Sequence, residues 1–287
     1  MDYQLKERFG EFFLQRNYKI IYENTSITFQ KLVSFEEFLK LSIKFNNGVS
    51  QYNCIASNII HGLYRYIWVD DAQTKAVIIA FDEYDIIQGL YFRLFETTYT
   101  MSEQIRTKNT YRMPITDEWF VFWNGTQEYL NYHYSFEQIR YAYGFAKLVN
   151  NQTYRGCPLK NENYFAFGAE VVAPADGTVV QVMDSIKDNI PGERDEENIL
   201  GNYCIIAHEK NEFSMIAHLK KDSICVNIGD HVKTGDLLGL CGNSGYSSEA
   251  HIHFQVMNHA NFMQAKLLRI QFSDESDLIQ GEILKPS

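Results

Sequence analysis

The stretch Ser244-Gly-Tyr-Ser-Ser-Glu-Ala-His251-Ile-His253-Phe254-Gln-Val-Met257 decides how this chain is read. Ile252, Phe254 and Val256 are β-branched or aromatic at alternate positions, which predicts a strand. Residues two apart on a strand share a face, so His251 and His253 point the same way, about 6.5–7 Å apart along the backbone. The turn holding Gly242 and Gly245 delivers this strand from a tight loop. Neutral imidazole is a common zinc ligand, and the His-x-His spacing lets both rings reach one metal neighbourhood. Two such rings alone are more often an ordinary surface feature, so the pair carries chemistry only if distant parts of the chain supply partners.

Working outward, β signals dominate from about residue 126. Strands are expected at 140–148, 170–172, 178–183, 203–208, 214–219, 237–241 and 251–257, separated by glycine-containing turns. An acidic loop with Pro and Gly spans 184–200. Many short antiparallel strands of this kind imply a sandwich or barrel. Upstream the pattern differs. Phe9, Phe12, Phe13 and Leu14 fit one helix, and Phe35, Phe38, Leu39 and Leu41 a second, with Ser34 as its N-cap before Glu36 and Glu37. Alternating strands are expected at 63–69, 76–81 and 86–95, with Asp70-Asp71 and residues 83–85 as hairpin turns. Helices followed by a meander indicate an α+β domain. The expected organisation is an α+β domain at 1–110, a linker at 111–127 around an ordered Trp119–Trp123 segment, and a β domain at 128–287.

Composition bounds the function. The 287 residues are 45% hydrophobic and 22% charged, as in a soluble globular protein, and long enough for two domains. A net charge of −10 argues against general nucleic-acid binding, which needs a basic face. No apolar run is long enough to cross a membrane as a helix. The N-terminus has early acidic residues and no apolar segment of the signal-peptide kind, so the expected compartment is the cytoplasm unless the sequence is a trimmed form of an exported protein. The five cysteines, Cys54, Cys157, Cys204, Cys225 and Cys241, are scattered and form no Cys-x-x-Cys motif, as expected of reduced thiols.

An ordered series of motifs accompanies the two histidines: Ala173-Pro-Ala-Asp-Gly-Thr-Val179, Gly201-Asn-Tyr-Cys-Ile-Ile-Ala-His208, Met215-Ile-Ala-His-Leu219, the Gly229–Gly239 segment, Gly242-Asn-Ser-Gly245 and His251-Ile-His-Phe254. Over residues 128–260 the series resembles the lysostaphin/LytM-type zinc endopeptidases, which cut peptidoglycan peptide bridges. The resemblance implies zinc held by His133 and His253, and His218 and His251 as the catalytic pair. It also implies a ligand Asp where this chain has Gly144, which cannot coordinate. Glu137, His251 and Asp176 are the groups that would fill the place, Asp176 being the poorest because its turn reads as structural. Two readings stay open: a zinc endopeptidase acting on peptidoglycan-type peptides, impaired or not by Gly144, and a pseudopeptidase that keeps the fold as a binding or scaffolding module. In the N-terminal part, Val77–Phe92 resembles the strand-turn-strand of nuclear-transport-factor-2-like and cystatin-like domains.

Surface or structural roles are expected for His61, His208, His231 and His259. Ser244 and Ser247 lie near His251, but no Gly-x-Ser-x-Gly elbow surrounds them, so turn hydrogen bonding is their expected role.

Overall fold

The computed structural model describes residues 5–95, 105–124, 138–273 and 280–284. The chain divides into two compact units, Met1–Thr98 and Tyr99–Ser287.

In the first unit, helices α1 (Leu5–Leu14), α2 (Tyr18–Glu23), α3 (Ile27–Leu32) and α4 (Phe35–Phe45) precede strands β1 (Tyr52–Ile60), β2 (Leu63–Asp70), β3 (Lys75–Phe81) and β4 (Ile87–Leu94). Ser34 starts α4 with a full capping box: its hydroxyl accepts from the Glu37 N–H while the Glu37 carboxylate accepts from the Ser34 N–H. The strands form an antiparallel meander in sequence order. Asp70 closes the β2–β3 turn by accepting from the backbone N–H groups of Thr74 and Lys75. The core is largely aromatic, with Phe9, Phe13 and Phe38 packed with Val77, Ile79 and Phe81. Strand β1 departs from expectation. Its mixed run Tyr-Asn-Cys-Ile-Ala-Ser-Asn has no clean alternation, and a register shift between Cys54 and Ala56 breaks its period.

The second unit contributes β5 (Arg106–Tyr111), β6 (Trp119–Trp123), β7 (Tyr143–Ala146), β8 (Glu170–Val172), β9 (Gly177–Met183), β10 (Asn202–His208), β11 (Glu212–Leu219), β12 (His231–Val232), β13 (Leu237–Leu240), β14 (Ile252–Met257), β15 (Leu267–Phe272) and β16 (Ile283–Leu284). Its main sheet runs β12-β9-β10-β11-β14-β7-β6-β16, with β15 on the far half of β14 and β5 parallel to β15. Strands β8 and β13 pair separately.

The segment expected to end the first domain and form a linker lies in this sheet instead. Strand β5 escapes the apolar pattern because it is held by polar anchoring. The buried Glu212 carboxylate accepts from the Lys108 and Asn109 backbone N–H groups, the Asn109 amide and the Tyr111 hydroxyl. The Trp119–Trp123 strand pairs with both β7 and β16. Alternate residues of β14 serve two faces. Ile252, Phe254 and Val256 join the large core with Ile216, Phe145 and Val121. The intervening positions, His253 and Gln255, face the other way. Among the described residues no helix is long and apolar enough to cross a membrane.

Candidate functional site

On that second face the strand registers draw a line across the sheet. Tyr203 of β10 pairs with Ala217 of β11, Ala217 with His253 of β14, His253 with Gly144 of β7, and Gly144 with Trp123 of β6. His253 is therefore flanked directly by Gly144, so the residue lacking a side chain is the cross-strand neighbour of the strand histidine.

His218 reaches this face by an irregularity. In a regular β11 it would point away from His253, because Ala217 is the residue opposite. The β10–β11 register slips here: Asn202 pairs with Leu219 and Tyr203 with Ala217, leaving His218 as the extra residue of a bulge. Its φ is +65°, a left-handed conformation that costs a non-glycine residue about 1 kcal/mol or more. The surroundings hold it there. Its N–H donates to the Leu200 carbonyl at 3.2 Å, and its carbonyl accepts from the Gly242 N–H at 3.0 Å. The rings of His218 and His251 lie 4.8 Å apart, and those of His218 and His253 5.8 Å apart.

Two glycines make this approach possible. Gly201 has φ +60°, and a Cβ on it would sit 2.4 Å from the Ser244 carbonyl carbon; a Cβ on Gly245 would sit 2.3 Å from the Gly201 nitrogen. Backbone packs on backbone, which only glycine permits. The contact aims the Ser244 carbonyl at His218. The buried Asn202 amide ties the same loops together, donating to the Ile186 and Leu219 carbonyls and accepting from the Ile186 N–H.

Hydrogen bonds set the tautomers. His218 Nδ1 lies 2.8 Å from the Ser244 carbonyl, and His251 Nδ1 2.9 Å from the Glu249 carbonyl. A carbonyl only accepts, so both Nδ1 atoms carry hydrogen and the neutral rings keep Nε2 as their acceptor atom. His253 is the reverse: its Nε2 lies 2.8 Å from Gln255 Oε1, which makes Nδ1 its acceptor atom. Burial pushes the His253 imidazole down to about 4, with the Gln255 contact opposing and His251 adding to the shift. Burial also lowers His251. Both rings are thus neutral near pH 7, as a base or a metal ligand requires.

A catalytic zinc takes three protein ligands plus water, and the described residues supply only part of such a set. Among the described residues no group of three His, Cys, Asp or Glu is placed to hold a metal ion. His253 supplies one donor, and the neighbouring position 144 supplies none. A Cβ there would lie 3.2 Å from Trp123 Cδ1 and 3.3 Å from Trp123 Cβ, so the indole crowds the place where an Asp side chain would begin. His133 and Glu137 lie outside the described residues. Asp176 is committed elsewhere: its carboxylate accepts from Lys233 Nζ and from the N–H and hydroxyl of Thr234, contacts that hold it down at about 2.

The remaining histidines are structural or exposed. His208 bonds the Asp176 carbonyl and the Ser214 hydroxyl and packs edge-on against Tyr111. His231 is exposed and bonds Thr178, and His259 is exposed and accepts from the Asn261 N–H. Ser244 Oγ accepts from the Asn202 N–H and donates to the Leu219 carbonyl. Ser247 Oγ lies against the Asn243 amide oxygen, the Glu249 carbonyl and, at 3.1 Å, His251 Nδ1, whose hydrogen it can share with the Glu249 carbonyl. Neither serine is a free nucleophile. Residue-type reasoning missed Asn202, Gln255 and Trp123. Of these, Gln255 was readable, since period two places it on the face of His253.

The profile of peptidase family M23 matches residues 163–265, a span that includes His218, His251 and His253 and begins after Gly144. An uncharacterized metalloprotease of Buchnera aphidicola is 34% identical over 102 residues, covering 36% of this chain and 23% of the relative. One from Haemophilus influenzae is 32% identical over 88 residues, covering 31% and 16%. The matches thus span less than a quarter of these relatives' length. Among solved structures, the catalytic domain of lysostaphin from Staphylococcus simulans is 26% identical, covering 40% of this chain and 84% of that one, with a TM-score of 0.27. The catalytic domain of the prophage-encoded M23 protein EnpA from Enterococcus faecalis is 20% identical, covering 44% and 72%, with a TM-score of 0.30.

Proposed function

We propose that the second unit, whose residues 163–265 match the model of peptidase family M23, holds peptidoglycan-type peptides in its histidine groove, with metal-dependent hydrolysis impaired by Gly144. The observation that carries the reading is the pairing of Gly144 with His253, with Trp123 crowding the same spot. A carboxylate at that position would be an anionic donor beside His253. Without it the described residues offer no anionic donor beside His253, and on this reading the groove binds peptides better than it cleaves them.

A second reading, a competent peptidase, draws on the histidine cluster. His218 and His251 both present Nε2 as acceptor from rings 4.8 Å apart, an arrangement able to take a proton from one atom and return it to another. Imidazole, titrating near pH 6.5 when unperturbed, suits that work. For the first unit we keep the cystatin-like α+β reading, supported by helices preceding a four-stranded antiparallel meander.

Metal content of the purified protein, read beside peptide binding and peptide cleavage, separates the two readings. The impaired reading expects zinc well below one per chain, no cleavage, and measurable binding of a peptidoglycan-type peptide. Stoichiometric zinc that disappears in His253→Ala, together with cleavage that disappears with it, would replace it by the competent peptidase.

A further inference from the structure

A cavity of about 440 Å³ opens on the same face of the sheet as His253. Its walls are Met183 of β9, Tyr203 and Ile205 of β10, Ile199 and Leu200 from the loop before β10, and Phe262 from the loop after β14. Met183 and Tyr203 are cross-strand partners, so this wall is the groove face of the sheet.

Two of the lining residues, Tyr203 and Leu200, connect the cavity wall to the surroundings of the histidines. Tyr203 stands in the same cross-strand line as His253, with Ala217 between them. At about 4.8 Å per strand, Tyr203 lies about 10 Å from His253, the reach of about three extended peptide residues. Leu200 lines the cavity and gives its carbonyl to the His218 N–H. A peptide whose backbone lies across the histidines therefore meets this wall within a few residues.

The lining fixes the class of side chain. Among the described residues that line it, the polar groups are the Tyr203 hydroxyl, the amides of Gln181, Asn198 and Asn261 and the carboxylate of Glu197, with no cationic side chain. Met183, Ile199 and Met263 stand on it 37%, 57% and 78% exposed. Exposed apolar side chains gathered around one cavity are a feature of ligand-binding surfaces. The space falls within the range of small-ligand sites and exceeds what glycine or alanine would fill. With one acid and no cation, it disfavours an acidic occupant.

We propose that this cavity is a specificity pocket taking a bulky apolar side chain, of the leucine, methionine or phenylalanine class, about three residues from the histidine cluster of a bound peptide. The proposal rests on the reading that the groove holds a peptide. It departs from that reading in the kind of peptide, since a bridge built of glycine alone would leave the pocket unused.

The test is fluorescence-polarisation binding of two end-blocked, dye-labelled octapeptide sets by the full chain. One is a glycine/alanine parent, and the other carries a single leucine scanned through every position. The pocket predicts that leucine at one or two positions tightens binding roughly tenfold or more, the gain expected from burying one such side chain. Ile199→Asp and Met263→Asp change exposed side chains, and their folding is checked by thermal melting. Each is expected to erase the leucine advantage while leaving the parent's affinity unchanged. Parent binding with no preference for leucine would overturn the pocket and leave the peptide reading standing. A leucine advantage that survives both variants would also overturn it. Binding of neither peptide would overturn the peptide reading, and the pocket with it.

Discussion

Gly144→Asp restores a side chain at the position facing His253. Directly opposed residues on antiparallel strands hold their Cβ atoms about 4.5–5.5 Å apart. Zinc lies about 2.0–2.2 Å from carboxylate oxygen and imidazole nitrogen, so the two donors need to come within about 3–3.5 Å of each other. One carboxylate arm closes that difference. The new Cβ meets Trp123 at 3.2 and 3.3 Å, so the indole must give by a few tenths of an ångström. Overpacking of this kind costs about 1–3 kcal/mol, offset by about 0.5–1 kcal/mol from removing a glycine within a strand. Burying a carboxylate adds to the cost, so the metal-free variant should be less stable than the parent by about 1–3 kcal/mol. Zinc at a hundred times its Kd would return about 2.7 kcal/mol. At about 2–4 °C per kcal/mol for a unit of this size, that is a rise of about 5–11 °C in melting temperature. The assay is calorimetric melting of parent and variant in chelator and in zinc, with metal content measured after dialysis. A zinc-dependent rise confined to the variant is the expected result. Equal rises in both proteins, or none in either, would refute the assignment of position 144 as the absent ligand.

Three further outcomes follow from the structure. Glu212→Gln keeps the size of the side chain but removes the charge that four donors share, and should cost about 1.5–3 kcal/mol in urea unfolding, with faster hydrogen exchange at Lys108 and Asn109. Burial lowers the imidazole of His208 below its ordinary 6.5, although its contact with the Asp176 carbonyl and nearby carboxylates oppose the shift. Its contribution to stability is therefore complete above about pH 6.5 and is lost as pH falls below that value, because the unfolded chain takes up the proton first. The difference in unfolding free energy between parent and His208→Gln should shrink on going from pH 7.5 to pH 5.5, and a difference that grows would contradict the sign. Ser34→Ala removes one half of the α4 capping box and should destabilise the first unit by about 1 kcal/mol in thermal or denaturant melts.

The parts of the fold that could be read in the sequence are those where one face of a strand is apolar and its ends are marked. Strand β8 coincides with expectation, and β9, β10, β11, β13 and β14 lie within two residues of it. The Ser34 cap was legible for the same reason, since cap chemistry is local. Strand β5 was not legible. Arg-Thr-Lys-Asn-Thr-Tyr has no apolar alternation, and what fixes it is a carboxylate more than a hundred residues away. Strand β15 carries apolar residues but has no turn of strong type before it, and it is defined by its partners β14 and β5. At the site, the His-x-His spacing pointed to His251 and His253 and the family resemblance to His218, while the relation between Gly144 and His253 needed a strand register that no short pattern encodes.

The convergence of His218 with His251 and His253 depends on the backbone more than on the imidazoles themselves. Ala217 takes the place opposite His253, so His218 comes round only because β11 carries one residue more than β10 at this point. The bulge persists because Leu200 and Gly242 fix both of its backbone groups, and the Gly201–Ser244 contact fixes the acceptor of its ring. None of these supports involves residue 144. A chain that lost the acid would therefore keep the histidine geometry intact, since nothing that holds the three rings together passes through the lost side chain. On the proposal that position 144 is the absent ligand, preserved imidazole geometry is consequently no measure of preserved hydrolysis, whereas metal affinity is.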